Sequence, residues 1–307
     1  MLDLRRLRLL SELARRGTIA EVGRAVGYSA SAVSQSLAQL EREVGMPLLE
    51  RDGRHVRLTP AARRLVARTD LVLAELDAAE AELAAEHGTV QGEVIIGAFP
   101  SAAAELVAPA VRALAVEHPA LACSIREHEP EDGIGLLRSG ELDMLLSERY
   151  DDVPGAPAGG LEEHVLLSEP LLLALPAAVA EPVALADMAG RPWISGIAGT
   201  QYVGAVEQAC QAAGFTPRIA HRADDAGLIL ALVAAGLGAA FVPELAATPT
   251  AGVHYVRALP APPRRHISAL VRRGAVQRPA LAATLASIAR VTGALPRRSR
   301  HPRSFLP

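Results

Sequence analysis

With Val33, Leu37 and Leu40 turned inward at helical spacing, the opposite side of the same helix shows Ala30, Ser31, Ser34, Gln35 and Ala38. Small, polar and almost uncharged, that surface can lie against base edges in a major groove. Ser34 and Gln35 are its main hydrogen-bonding groups, and a Gln amide suits the paired donor and acceptor of adenine. Ser29, Arg24 and Gln39 join this candidate DNA-binding set. Further on, Arg51, Arg54, His55 and Arg57 surround Asp52-Gly53, a strong two-residue hairpin signal. A basic hairpin beside such a helix can grip phosphates. The chemistry implied is recognition of double-stranded DNA by hydrogen bonds and charge.

A rigid mount must hold these groups. Leu4, Leu7, Leu10 and Leu13 give a first helix with one apolar stripe, ending near Gly17. Thr18 with Glu21 three residues later forms a capping box for a short second helix, Gly27 permits a tight turn, and Ser29 caps the third. Two helices joined by a short Gly-containing turn make a helix-turn-helix. The charge layout agrees. All 31 basic residues are Arg, against 34 acids. Residues 1–68 hold 13 Arg and 7 acids, residues 69–88 hold 6 acids and no base, and residues 89–295 hold 14 Arg and 21 acids. A basic head on an acidic body points the head at nucleic acid. The length of 307 residues predicts two or three units, and a 50% hydrophobic composition excludes a long disordered chain.

Residues 17–65 carry the order SxxAVSxxLxxLExxxGxPLLER followed by RLTPA. In this they resemble the winged helix-turn-helix of LysR-type transcriptional regulators. The family often has Gln where this chain has Ala30 and Arg where it has Gln35, so the resemblance does not carry over an operator sequence. It implies a regulator that binds operator DNA as a homodimer or homotetramer, answers a small-molecule effector and alters promoter use by RNA polymerase.

The expected layout is a DNA-binding head at 1–60, a linker helix at 61–88, an effector-binding domain at 92–295 and a basic tail at 296–307. Along the linker, Leu65, Thr69, Val72, Leu76, Ala79 and Leu83 follow spacings of 4, 3, 4, 3 and 4, an a/d seam that needs a partner helix. A second subunit supplies one; packing on the chain's own body is the other possibility. The resemblance supports the dimer, with Leu65, Val72, Leu76 and Leu83 in the seam. Beyond the linker, strands at about 94–99, 122–129 and 143–147 alternate with helices at 101–117 and 132–139. This predicts an open, mainly parallel α/β sheet. Residues 164–243 repeat the rhythm, and a strand and helix close the domain, so two α/β lobes with a cleft are expected. The resemblance likewise implies a periplasmic-binding-protein-like domain whose chain crosses between lobes near 161–166 and 265–269. Lobe I then covers about 92–163 plus 268–292, and lobe II about 164–267.

Ligands of open α/β sheets sit beyond the carboxyl ends of strands, near helix N-termini. Ser101, Ser147, Thr200, Gln201 and Asp224 are the candidate effector contacts, and no Arg is clearly placed for the cleft. Ser101 serves equally as an ordinary helix cap. Neither GxSxG, HExxH, paired CxxC nor a P-loop occurs, so no enzyme, metal site or cofactor is expected. Cys123 and Cys210 read as small buried residues. Residues 226–243 are uncharged, but Gly227, Gly236, Gly238 and Pro243 interrupt them, which favours a buried helix and strand over a membrane span. The start lacks a signal peptide, and a cytoplasmic protein is expected. An architectural DNA-binding protein and a solute-binding module are the rival classes.

Overall fold

The computed structural model describes residues 2–52, 55–86, 90–151, 160–177, 182–260 and 262–295. The tail and the hairpin tip, Gly53 and Arg54, lie outside the described residues. Helices α1 (Leu4–Arg16), α2 (Ile19–Val26) and α3 (Ala30–Val44) form the head. Asp3, Thr18 and Ser29 cap them through their side chains, each accepting an otherwise unpaired amide of the first turn. Leu10, Leu13, Val33, Leu37 and Leu40 close a core that excludes water. Strands β1 (Leu49–Asp52) and β2 (His55–Leu58) pair antiparallel as the expected hairpin, with Glu50 opposite Arg57.

Helix α4 runs Pro60–Glu86. Its first turns belong to the head: Ala62 is buried there, and Leu65 packs against the same core. Leu65 thus has a contact within its own chain beside its expected place in the seam. Thr69 is also buried, whereas Val72 and Leu76 are 49% and 43% exposed. The side chain of Leu83 lies outside the described residues.

The body opens with β3 (Gly92–Ala98). A helical stretch follows, α5 (Pro100–Ala102), a π-helical turn (Ala103–Val107) and α6 (Ala108–Glu117). Pro109 has no N–H to offer the preceding turn, and the wider π turn accommodates it. Then come β4 (Leu121–Glu127), α7 (Pro130–Ser139), β5 (Met144–Tyr150) and the long β6 (Leu161–Leu175). The second lobe adds β7 (Val183–Ala184), β8 (Pro192–Ser195), α8 (Gln201–Ala212), β9 (Arg218–Arg222), α9 (Ala226–Ala234), β10 (Ala240–Pro243), β11 (His254–Val256) and β12 (Ala258–Leu259). Strand β13 (Arg264–Arg272) and α10 (Pro279–Ala294) return to the first lobe. Among the described residues no helix is long and apolar enough to cross a membrane.

One sheet runs in the order β10-β6-β13-β5-β3-β4, with β11 also on β6. It is mixed rather than mainly parallel. Strand β3 pairs parallel with β4 and β5, but β13 runs antiparallel between β5 and β6 because it returns from the second lobe. The lobe boundaries shift as well. Strand β6 stays paired with β13 through Glu169 and Pro170, and pairs with β10 from Leu171 onward. The outward crossing therefore falls at Pro170-Leu171, later than 161–166, and the return at Pro263-Arg264, adjoining the expected 265–269. A continuous ladder sets these points, with Pro170 at the first and Pro262-Pro263 at the second.

Each lobe has its own core. Ile96, Leu106, Met144, Ile267 and Leu281 fill the first, and Trp193, Val206 and Phe241 the second. The Trp193 and Phe241 rings lie 5.6 Å apart, centroid to centroid, and both are fully buried. Burial of one such ring stabilises by roughly 1.5–3 kcal/mol.

Candidate functional site

On the head, Ser31, Ser34 and Gln35 are exposed on α3, opposite buried Val33, Leu37 and Leu40. Ser29 is spent on the cap: its hydroxyl accepts from the Ala32 amide at 3.2 Å and lies 2.9 Å from the Ser31 hydroxyl. Gln39 is held within the helix, accepting from Arg42 at 3.0 Å and donating to Glu43 at 3.3 Å. Arg24 is exposed at the end of α2, 3.8 Å from Glu21. Arg57 is exposed on the hairpin, while the side chain of Arg51 lies outside the described residues. Glu41 is a positioning residue that sequence reasoning missed. Its carboxylate accepts from the Leu48 and Leu49 amides at 2.8 and 3.0 Å and so fixes where the hairpin leaves α3.

The head also touches the first lobe. Arg16 of α1, paired with Glu12 at 2.7 Å, reaches Glu141 just beyond α7 at 2.7 Å. Arg272 pins the C-terminal end of α7 by donating to the carbonyls of Leu137 and Leu142 at 2.8 and 2.7 Å.

The other end of α7 borders a cavity of about 420 Å³ between the lobes. Ser101, Thr200, Gln201 and Asp224 all line it. Ser147 does not; it faces a neighbouring cavity of about 50 Å³, whose wall shares Glu131, Glu148 and Gln201 with the main one. Ser101 is not a cap, because Phe99 holds the cap position, Pro100 opens the helix and no side chain closes that end. Thr200 and Asp225 do cap, accepting from Val203 and Leu228 at 3.4 and 2.7 Å. The Asp224 carboxylate accepts from the Ile197 amide at 2.8 Å and ties down the loop before α8.

An Arg that sequence reasoning could not place lines the cleft. Arg265 is 3% exposed, donates to Glu169 at 2.7 Å and to Glu148 at 3.0 Å, and stacks over the Phe99 ring at 5.1 Å. Burial pushes the Glu148 and Glu169 carboxyls up, and the guanidinium opposes that rise. Tyr150 donates to the other oxygen of Glu148 at 2.9 Å. Tyr202 donates to the Phe241 carbonyl at 2.5 Å, and the two Tyr rings meet edge to face. Glu129 keeps an exposed surface, yet the partial burial of its carboxyl, then Glu148, Glu131, Asp224 and Glu127, push it up to about 7. Strand periodicity gave no hint of this lining, because Glu148, Tyr150, Glu169 and Arg265 come from three strands far apart in sequence and meet only through their register.

The cysteines sit apart, Cys123 against the first lobe's core and Cys210 buried in the second. Burial pushes the Cys210 thiol up to about 12 and raises Cys123 as well, which suppresses the reactive thiolates.

The LysR substrate binding domain profile matches residues 87–293, and that of the bacterial regulatory helix-turn-helix protein, lysR family, matches residues 4–63. The transcriptional dual regulator GltC of Bacillus subtilis is 26% identical over 79% of this chain and 81% of its own length. The probable HTH-type transcriptional regulator LrrA of Synechococcus elongatus is 27% identical over 92% and 95%. Full-length OxyR from Pseudomonas aeruginosa superposes with a TM-score of 0.72 at 22% identity, covering 94% of this chain and 95% of that one. Full-length CbnR, solved with its target DNA, gives 0.56 at 23% identity, covering 94% and 100%. Two domain matches in this order, over a head and a two-lobed body of the corresponding architecture, place the chain in the LysR family of transcriptional regulators.

Proposed function

We propose that this chain is an effector-responsive regulator without enzymatic activity, which acts in the cytoplasm and binds operator DNA as a homodimer or homotetramer. Ser34 and Gln35 of α3 read bases, with Ser29, Ser31, Gln39 and Arg24 at the margins, and the Arg51, Arg54 and Arg57 hairpin holds the backbone. CbnR, which shares the fold, has been seen on its target DNA. Two subunits meet through α4, where Val72 and Leu76 are exposed and Leu83 continues the spacing. Ser101, Thr200, Gln201 and Asp224 form the effector site, with Ser147 beside it. The observation that carries the reading is the course of α7, whose one end borders the cleft and whose other end adjoins the Arg16–Glu141 contact to the head. A ligand that moves α7 biases the head and, through it, promoter use by RNA polymerase.

Salt-resolved binding to the operator tests the division of labour. Gln35→Ala should relax preference at particular bases by roughly 1–3 kcal/mol and leave the salt slope alone. Arg57→Ala should weaken all sequences alike and flatten the slope by about one ion per site. Identical behaviour of the two variants would contradict the assignment.

A further inference from the structure

Charge on the cleft wall indicates what the effector is. Five carboxylates line it, those of Glu129, Glu131, Asp132, Glu148 and Asp224, against the single guanidinium of Arg265. That guanidinium is buried and its charge is already offset by Glu148 and Glu169, although its Nη2 has no hydrogen-bond partner among the described residues. Among the described residues no ion pair reaches Glu129, Glu131 or Asp132, and Glu131 and Asp132 occupy the first turn of α7, where they offset the positive end of that helix. Thr200 and Asp225 have taken amides at the other two long helix starts. A carboxylate ligand would therefore meet a wall of its own sign.

A second observation points the same way. The Gln201 amide oxygen is buried and has no hydrogen-bond donor among the described residues, although the residue borders both cavities. A buried acceptor left unpaired costs about 1–3 kcal/mol, which a ligand donor would recover. An ammonium group carries donors only. Tyr150, Tyr202 and Phe99 also bring ring faces or edges to this region, and aromatic faces attract organic cations. Among the described residues no group of three His, Cys, Asp or Glu is placed to hold a metal ion, which favours an organic cation.

Resting on the reading of the cleft as the effector site, we propose that the effector is an organic amine. Its ammonium group sits between Glu129 and Asp224, on opposite sides of the cleft, and its carbon skeleton lies against Tyr150, Tyr202 and Phe241. Ser101, in the first turn of a helix whose start no side chain caps, is left to meet a hydroxyl or carbonyl of the same molecule. Because Asp224 belongs to the second lobe and Glu129 to the first, a cation between them relieves repulsion across the cleft and draws the lobes together.

The test uses the full chain with methyl-labelled Ile229 and Val242, both of which line the cleft. Two nitroxides of matched shape, one bearing an amine and one a carboxylate, are compared by the relaxation each induces at these methyl groups. The amine form is expected to act at least threefold more strongly, and Glu129→Gln with Asp224→Asn should bring the ratio down towards one. Equal action, or a stronger effect of the carboxylate form, overturns the cationic assignment and leaves the cleft reading standing. Phenethylamine at millimolar concentration should then displace the amine nitroxide and shift operator affinity at least twofold, with phenylacetate inert. Displacement with unchanged operator affinity defeats instead the reading of the cleft as an effector site, and the proposal falls with it.

Discussion

Arg265→Ala should destabilise the body by about 3–5 kcal/mol, the usual cost of stripping one partner from a buried ionic network. For a domain of this size that is a fall of roughly 10 °C in Tm. The guanidinium is the only cation within reach of Glu148 and Glu169 that the cleft lining supplies, and both acids are already pushed upward by burial. Without it both carboxyls rise further, well above their unfolded values. A raised carboxyl contributes stability that is present below its unfolded pKa and lost as pH rises through the folded one. The gap between wild type and variant should therefore be small near pH 5 and widest near pH 8. Adding Glu169→Gln to Arg265→Ala should recover part of the loss, since one orphaned charge is gone. Thermal melts across that pH range decide it, and a gap independent of pH would show that packing, not charge, is the role of Arg265.

Gly23→Ala should abolish operator binding while the body melts as before. A Cβ built at Gly23 would stand 2.7 Å from the Tyr28 carbonyl oxygen, 3.4 Å from the Ala30 amide nitrogen and 3.5 Å from the Ser29 carbonyl carbon. All three are backbone atoms of the turn into α3, so no flexible side chain can give way. The methyl would push α3 off its seat, and the Tyr28 amide, which donates to the Gly23 carbonyl at 2.9 Å, would move with it. Base contacts are worth about 1–3 kcal/mol each, and losing several from two heads weakens binding by ~100-fold or more. Titration of operator with the variant measures the loss. Affinity within threefold of wild type would mean that the turn absorbs the methyl and α3 stays in place.

Legibility in the sequence followed the range of the interactions. Thr18, Gly27 and Ser29 act on atoms within a few residues, so caps, turn and reading face could be placed from local order alone. Thr200 and Asp225 were readable for the same reason. Arg265 was not, because its partners Glu169 and Glu148 lie 96 and 117 positions away and meet it only through the register of three strands. The crossing at Pro170-Leu171 was hidden likewise, since β6 changes neighbours within one uninterrupted strand. Leu65 fits a heptad seam by spacing, and only the packed head shows that its first use is internal.

Selecting genomic fragments with the purified full chain, and footprinting the best of them, most directly tests the central claim. The account predicts a long protected region containing two half-sites related by two-fold symmetry, centred about one helical turn or a multiple of it apart. Salt-sensitive binding without sequence preference would contradict it and make the head an architectural DNA clamp. An absence of binding at any salt concentration would overturn the regulator reading altogether.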